Sequence, residues 1–116
     1  MTEDTWSVRL AAAAETDFEA IIGWTVDQFG DVQARVYAEV LASAVEALTA
    51  GPNLPGVKAR SEIGKHLFTL HVAREGRRGR HFVLFRVDAA PERLRIDVLR
   101  ILHDAMDLQQ HTPVDE

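Results

Sequence analysis

Cysteine is absent from the 116-residue chain, so neither a disulfide scaffold nor a thiolate metal centre is open to it. Lysine is scarce, with Lys58 and Lys65 the only two, and Tyr37 is the single tyrosine. No apolar run approaches the roughly 20 residues that a bilayer-spanning helix needs. The amino end, Met1-Thr2-Glu3-Asp4, is acidic where a secretory signal is basic. The expectation is a cytoplasmic protein with no membrane partner. Internal repeats, low-complexity tracts and interdomain linkers are also missing, so residues 1–116 read as one domain. A chain of this size removes roughly 65% of its unfolded surface from water, enough for a single core.

Charge of one sign is scarce locally. Between Met1 and Val57 only Arg9 and Arg35 are basic against nine acidic residues, a balance of −7. Lys58 to His103 carries eleven basic and five acidic residues, or +6, and the last thirteen residues add −4 to reach the net −5. One acidic and one basic side favour oriented docking with a charged partner, whereas a general nucleic-acid coat would be basic throughout. The net acidity tilts the choice of target toward protein and away from ribosomal RNA.

Hydrophobic periodicity supplies the elements. Trp6, Val8 and Leu10 alternate with Ser7 and Arg9, as in a half-buried strand. Phe18, Ile21, Ile22, Val26 and Phe29 then recur at helical spacing, and Thr16 with Glu19 has the spacing of a capping box, so a helix is predicted from Ala14 to Phe29. Gly30 ends it, and Asp31 is placed to cap a second helix whose stripe is Ala34, Tyr37, Ala38, Leu41, Ala44, Val45 and Leu48. So short a connection makes the two helices an antiparallel hairpin. Gly51-Pro52 stops the second.

Beyond the loop at Asn53 to Gly56 the period becomes two. Phe68, Leu70 and Val72 form one strand, His81 to Val87 a near-continuous apolar one, and Leu94 to His103 a third. The turns between them are Arg74 to Arg80 and Ala89 to Glu92. Strict alternation in the last strand puts Arg100 on the face of Ile96 and Val98, which buries a guanidinium unless the strand bulges there or the site opens. Asp104 reads as the cap of a short terminal helix from Ala105 to about Gln110. The fold class is therefore α+β, in the order β-α-α-β-β-β, with a helical hairpin on a small antiparallel-rich sheet and a short carboxy-terminal helix.

No site of established type stands out. Ser7, Ser43 and Ser61 lie in no strained-turn motif, and Gly76-x-x-Gly79 is too short for a phosphate loop. His103, Asp104 and Asp107 offer metal donors within one helical turn, but a third firm ligand is lacking, so no metal and no cofactor are expected. His66, His71 and His81 receive no role. The arginine-rich turn either keeps a hairpin tip soluble or meets phosphates or an acidic surface. Trp24 is either hairpin core or an exposed anchor for a partner.

The order of elements, together with particular residues, resembles the RelE/ParE toxin superfamily. These residues are Ala13-x-x-x-Asp17-Phe18-x-x-Ile21, Phe29-Gly30 before a helix with Ala34, Tyr37 and Leu41, and Leu48 followed by Gly51-Pro52. Above all, Arg100-Ile101-Leu102-His103-x-x-Met106-Asp107 resembles the carboxy-terminal signature of the ParE-like branch. The similarity runs from about Trp6 to Pro113.

That resemblance implies a type II toxin, neutralised by a cognate antitoxin in a toxin–antitoxin hetero-oligomer, which poisons DNA gyrase by binding and serves plasmid stabilisation. The RelE-like alternative is a ribosome-dependent mRNA endoribonuclease, with His103 as acid or base and Arg100 and Arg60 or Arg80 on the phosphate. The tyrosine version of that chemistry is read as absent, since Tyr37 belongs to a helical stripe. An inactive, antitoxin-binding homologue is the third possibility. Arg74, Arg77, Arg78, Arg80, Arg100, His103, Met106 and Trp24 are the residues expected to meet a target or partner.

Overall fold

Residues 5–90 and 93–105 are described by the computed structural model. Their order is β1 (Ser7–Leu10), α1 (Ala12–Phe29), α2 (Asp31–Ala47), a 3-10 turn (Leu48–Ala50), β2 (Lys58–Ala59), β3 (Leu67–His71), β4 (His81–Ala90) and β5 (Arg93–His103). The five strands form one sheet in the order β1-β5-β4-β3-β2. β1 runs parallel to β5 and every other pairing is antiparallel. The expected hairpin and three-strand meander are present.

β2 is the strand with no alternation to announce it. It forms because the loop folds back along β3, pairing Lys58 with Thr69 and Ala59 with Phe68, and the Arg60 N–H continues the ladder to the Leu67 carbonyl at 2.8 Å.

The helical hairpin covers one face of the sheet. Val8 and Leu10 of β1, Ile96, Val98 and Ile101 of β5, Val83 and Phe85 of β4, and Leu70 of β3 pack there with Ala14, Leu41, Ala44 and Leu48. Burying a side chain such as Phe85 contributes about 1.5–3 kcal/mol each. On the opposite face Leu67, Thr69, Phe82, Leu84 and Leu102 are also buried, while Arg9, Arg95, Asp97 and Asp88 occupy the β1 end of it.

Three local expectations are corrected. α1 begins at Ala12, two residues early, with Ala11 at its N-cap and no side-chain cap, so Thr16 and Glu19 form no capping box. The reason lies in the sheet: the Ala11 N–H bonds the Val98 carbonyl at 2.9 Å, which sets the point where the chain leaves β1, and Glu15 supplies the acidic first turn. Asp31 is the first residue of α2 and makes no cap bond; Gly30 is the N-cap. Its φ of +91° is the left-handed region that favours glycine, and it lets one residue end α1 and begin α2. Finally, β4 runs on through Ala90, so Ala89 and Ala90 belong to a strand and not to the expected turn.

The conflict at Arg100 is resolved by a bulge. Leu84 pairs with Arg100 but Phe85 pairs with Val98, leaving Leu99 as the extra residue. Val98 and Ile101 thereby both join the core, and Arg100 does not enter it. Asp104 and Ala105 lie in a turn; the rest of the expected terminal helix, with Met106 and Asp107, falls outside the described residues.

Candidate functional site

The carboxy-terminal string begins with a clamp. β1 ends at Leu10, opposite Val98, so β5 continues beyond its neighbour and its next inward-facing backbone groups need other partners. Asp17, in the second turn of α1, meets that need. Its Oδ2 accepts from Arg100 Nε at 2.7 Å and from the Ile101 N–H at 2.9 Å, and its Oδ1 accepts from Arg100 at 3.0 Å. The side chains of Arg100 and Asp17 are only 25% and 15% exposed. The Asp17 carboxylate raises the pKa of the Arg100 guanidinium further. One bidentate pair thus fixes α1 to the end of β5.

A second group gathers where the turn before β4 meets the end of β5. The Tyr37 hydroxyl accepts the Arg80 N–H at 3.1 Å and lies 2.7 Å from His81 Nδ1, so its own proton goes to that nitrogen. Gly79 makes the approach possible, since a Cβ there would lie 2.5 Å from Val72 Cγ2 and 2.9 Å from the Tyr37 oxygen. Burial pushes the Tyr37 pKa up, and burial followed by the neighbouring His103 charge pushes that of His81 down to about 4. The His81 and His103 rings stand edge to face, 5.3 Å apart.

Backbone donors fix the other two imidazoles. His71 Nδ1 accepts the Ala73 N–H at 3.0 Å, so its Nε2 carries the proton that bonds Asp104 Oδ2 at 3.0 Å. His103 Nδ1 likewise accepts the Ala105 N–H at 3.1 Å. Asp104 also accepts from Arg80 Nε at 3.3 Å and 3.4 Å, and the His71 bond holds its carboxyl below the usual range. Its carboxylate is thus engaged by the side chains of His71 and Arg80. In the His71 and His103 rings Nδ1 accepts a backbone N–H, which leaves Nε2 as the nitrogen that donates.

The remaining expected residues are scattered. Arg60 is across the sheet on the β2–β3 connection, bonded to Thr69 Oγ1 at 3.0 Å and 3.7 Å from Glu62, so it is not part of either group. In the turn, Glu75 holds Arg74 at 3.6 Å and Arg77 at 4.0 Å, while Arg77, Arg78 and Arg80 are exposed. Trp24 is 59% exposed and touches Phe29 edge to face at 5.8 Å, which excludes it from the hairpin core. Phe29, Val32 and Val36 on the same hairpin are exposed as well.

Sequence reasoning did not find Asp17 as the partner of Arg100, nor Tyr37, His71 and His81 as members of the second group. The sequence signal for Asp17 was its place in the Ala13-to-Ile21 string; for the others there was none beyond residue type. Among the described residues no three His, Asp or Glu side chains converge as a metal site. No described helix is long and apolar enough to cross a membrane.

The same architecture occurs in solved toxin–antitoxin complexes. A chain of the chromosomal ParDE system from P. aeruginosa superposes with a TM-score of 0.68 at 22% identity, covering 87% of this chain and 98% of that one. A chain of the RelBE2 toxin–antitoxin complex from Mycobacterium tuberculosis does so with a TM-score of 0.54 at 24% identity, covering 85% and 98%. The likeness defines the fold as the α+β architecture of those chains. The family model for the ParE toxin of type II toxin–antitoxin systems matches residues 8–108, and the chain belongs to that family. No curated protein matches it at comparable strength.

Proposed function

We propose that this type II toxin acts by binding DNA gyrase and is neutralised by a cognate antitoxin. The observation that carries the reading is that the groups needed for RNA cleavage are committed within the chain. Arg100 is clamped by Asp17, and His103 Nδ1 is occupied by the Ala105 N–H. A ring nitrogen that already accepts a backbone N–H takes no proton from a substrate until that bond breaks. Arg60 is bonded to Thr69 and paired with Glu62. A binding toxin needs none of this chemistry. It needs exposed cations and an anchor, and Arg77, Arg78, Arg80 and Trp24 are exposed.

In this reading the clamp positions the tail that starts at Arg100, the arginine turn contributes to the target surface, and the hairpin with Trp24 offers the antitoxin an aromatic anchor. The antitoxin partner is supported by the two solved relatives, both described as toxin–antitoxin assemblies. The experiment pairs two assays: supercoiled plasmid with gyrase and ATP, and mRNA on translating ribosomes. Linear plasmid accumulating with intact message is the expected result. Cut message with unaffected gyrase would reverse the assignment in favour of the RelE-like ribonuclease, and silence in both would leave an inactive antitoxin-binding homologue.

A further inference from the structure

The turn that carries the exposed arginines is held mainly from outside itself. β3 ends at His71 and β4 begins at His81, and two backbone bonds close within the turn: the Arg74 N–H to the Val72 carbonyl at 2.9 Å, and the Arg77 N–H to the Arg74 carbonyl at 3.0 Å. Its tip bends at Glu75 and Gly76, whose φ angles of +54° and +81° both lie in the left-handed region. The ion pairs of Glu75 with Arg74 and Arg77, at 3.6 Å and 4.0 Å on an exposed carboxylate, hold that tip weakly. The returning limb is tied more firmly. The Asp104 N–H bonds the Arg80 carbonyl at 2.8 Å, and the Arg80 N–H is taken by the Tyr37 hydroxyl, reaching across from α2. That oxygen also bonds His81 Nδ1, and the two rings lie tilted with centroids 5.6 Å apart. One phenol thus engages two successive residues where the turn enters β4.

We propose that Tyr37 is a positioning residue for target binding, whose hydroxyl holds the arginine turn in the shape that presents Arg77 and Arg78. The inference rests on the gyrase reading, in which that turn meets the target. A loop left mobile loses conformational entropy when a partner fixes it, and the affinity of the cations it carries falls accordingly. A bond that orders the limb beforehand removes part of that loss. The ring of Tyr37 packs against the core as any aromatic ring would, but its oxygen serves Arg80 and His81. Burial holds the phenol proton in place at neutral pH. Gly79 is matched to the same contact, because a Cβ there would push on both the Tyr37 oxygen and Val72. Arg74 is mostly covered, its side chain 16% exposed, so Arg77 and Arg78 are the cations that this arrangement displays.

The test compares the full chain with Tyr37→Phe, which keeps the ring and removes only the oxygen. Amide hydrogen exchange followed by NMR is expected to be about fivefold faster at Arg80 and its neighbours in the turn, with the core amides of β4 and β5 unchanged. Half-maximal cleavage of supercoiled plasmid by gyrase is expected to need about threefold to tenfold more of the variant. In an Arg77→Ala/Arg78→Ala background, itself weakened, Tyr37→Phe should add nothing, because the hydroxyl acts through those cations. Exchange that accelerates evenly across the sheet marks a bond serving global stability alone and would overturn the proposal. So would unchanged exchange at Arg80, full potency of Tyr37→Phe, or a further loss in the arginine background. Wild-type chain that leaves gyrase untouched, or poisoning that survives the arginine substitutions, would overturn the target role at the gyrase reading itself. Faster exchange at Arg80 tells that failure apart from a failure of the Tyr37 bond.

Discussion

Removing Asp17 tests how the helical hairpin is tied to the sheet. Asp17→Ala deletes two bonds to the Arg100 guanidinium, at 2.7 Å and 3.0 Å, and leaves the Ile101 N–H without its acceptor. Breaking a fully buried ion pair costs about 3–5 kcal/mol, and an exposed pair is worth about 0.2–1 kcal/mol. Exposures of 25% and 15% place this pair toward the buried limit. The expected loss, discounted for the water that reaches it, is about 2–3 kcal/mol. Asp17→Asn keeps an acceptor for the Ile101 N–H and should lose about 1–2 kcal/mol. Urea unfolding at neutral pH of the wild type, Asp17→Ala, Arg100→Ala and the double variant closes a cycle whose coupling energy should be at least about 1 kcal/mol. Single losses that simply add would refute the clamp, and with it the account of why β5 outruns β1.

Acid should weaken the fold through His81. Its folded pKa of about 4 lies below the ordinary 6.5, so its contribution is fully present above 6.5 and is lost as the pH falls through 4, about 1–2 kcal/mol once discounted for the water that reaches a half-buried ring. Imidazole resonances that titrate near 6.5 in the folded protein, or an unchanged acid limb in His81→Gln, would contradict this. Trp24→Ser, at a 59% exposed position, should shift stability by less than about 1 kcal/mol. The same variant should weaken antitoxin binding about tenfold or more by calorimetry, and undiminished affinity would remove Trp24 from the interface.

Periodicity made the hairpin and the meander legible because both bury a face that repeats in register with its element. The misreadings share one physical cause, which is competition from bonds made far along the chain. Thr16 and Glu19 have capping spacing, yet the helix start is set by Ala11 bonding Val98, a strand read eighty-odd residues later. The partners of Asp104 are also distant in sequence, since His71 and Arg80 bond its carboxylate. β2 carries no pattern at all, for its two residues pair through the backbone and are both exposed. At Arg100 the sequence exposed the conflict between charge and alternation, and a bulge was one of the two solutions. The partner stayed hidden, since nothing near Arg100 indicates that β1 stops short and that α1 turns a carboxylate back onto the unpaired edge.

Those long-range bonds bear on function as well as fold. The polar side chains of the carboxy-terminal string and of the histidine group are tied to one another or to backbone, whereas Arg77, Arg78 and Trp24 project from turns and helix surface with ties that are weak or absent. In a catalytic site the reactive groups are buried and yet left with an unmet bond for the substrate. Here Asp17, Arg100, His71 and Asp104 are bonded to groups of the same chain, while Arg77, Arg78 and Trp24 are exposed. A surface of that kind gains free energy by meeting another macromolecule.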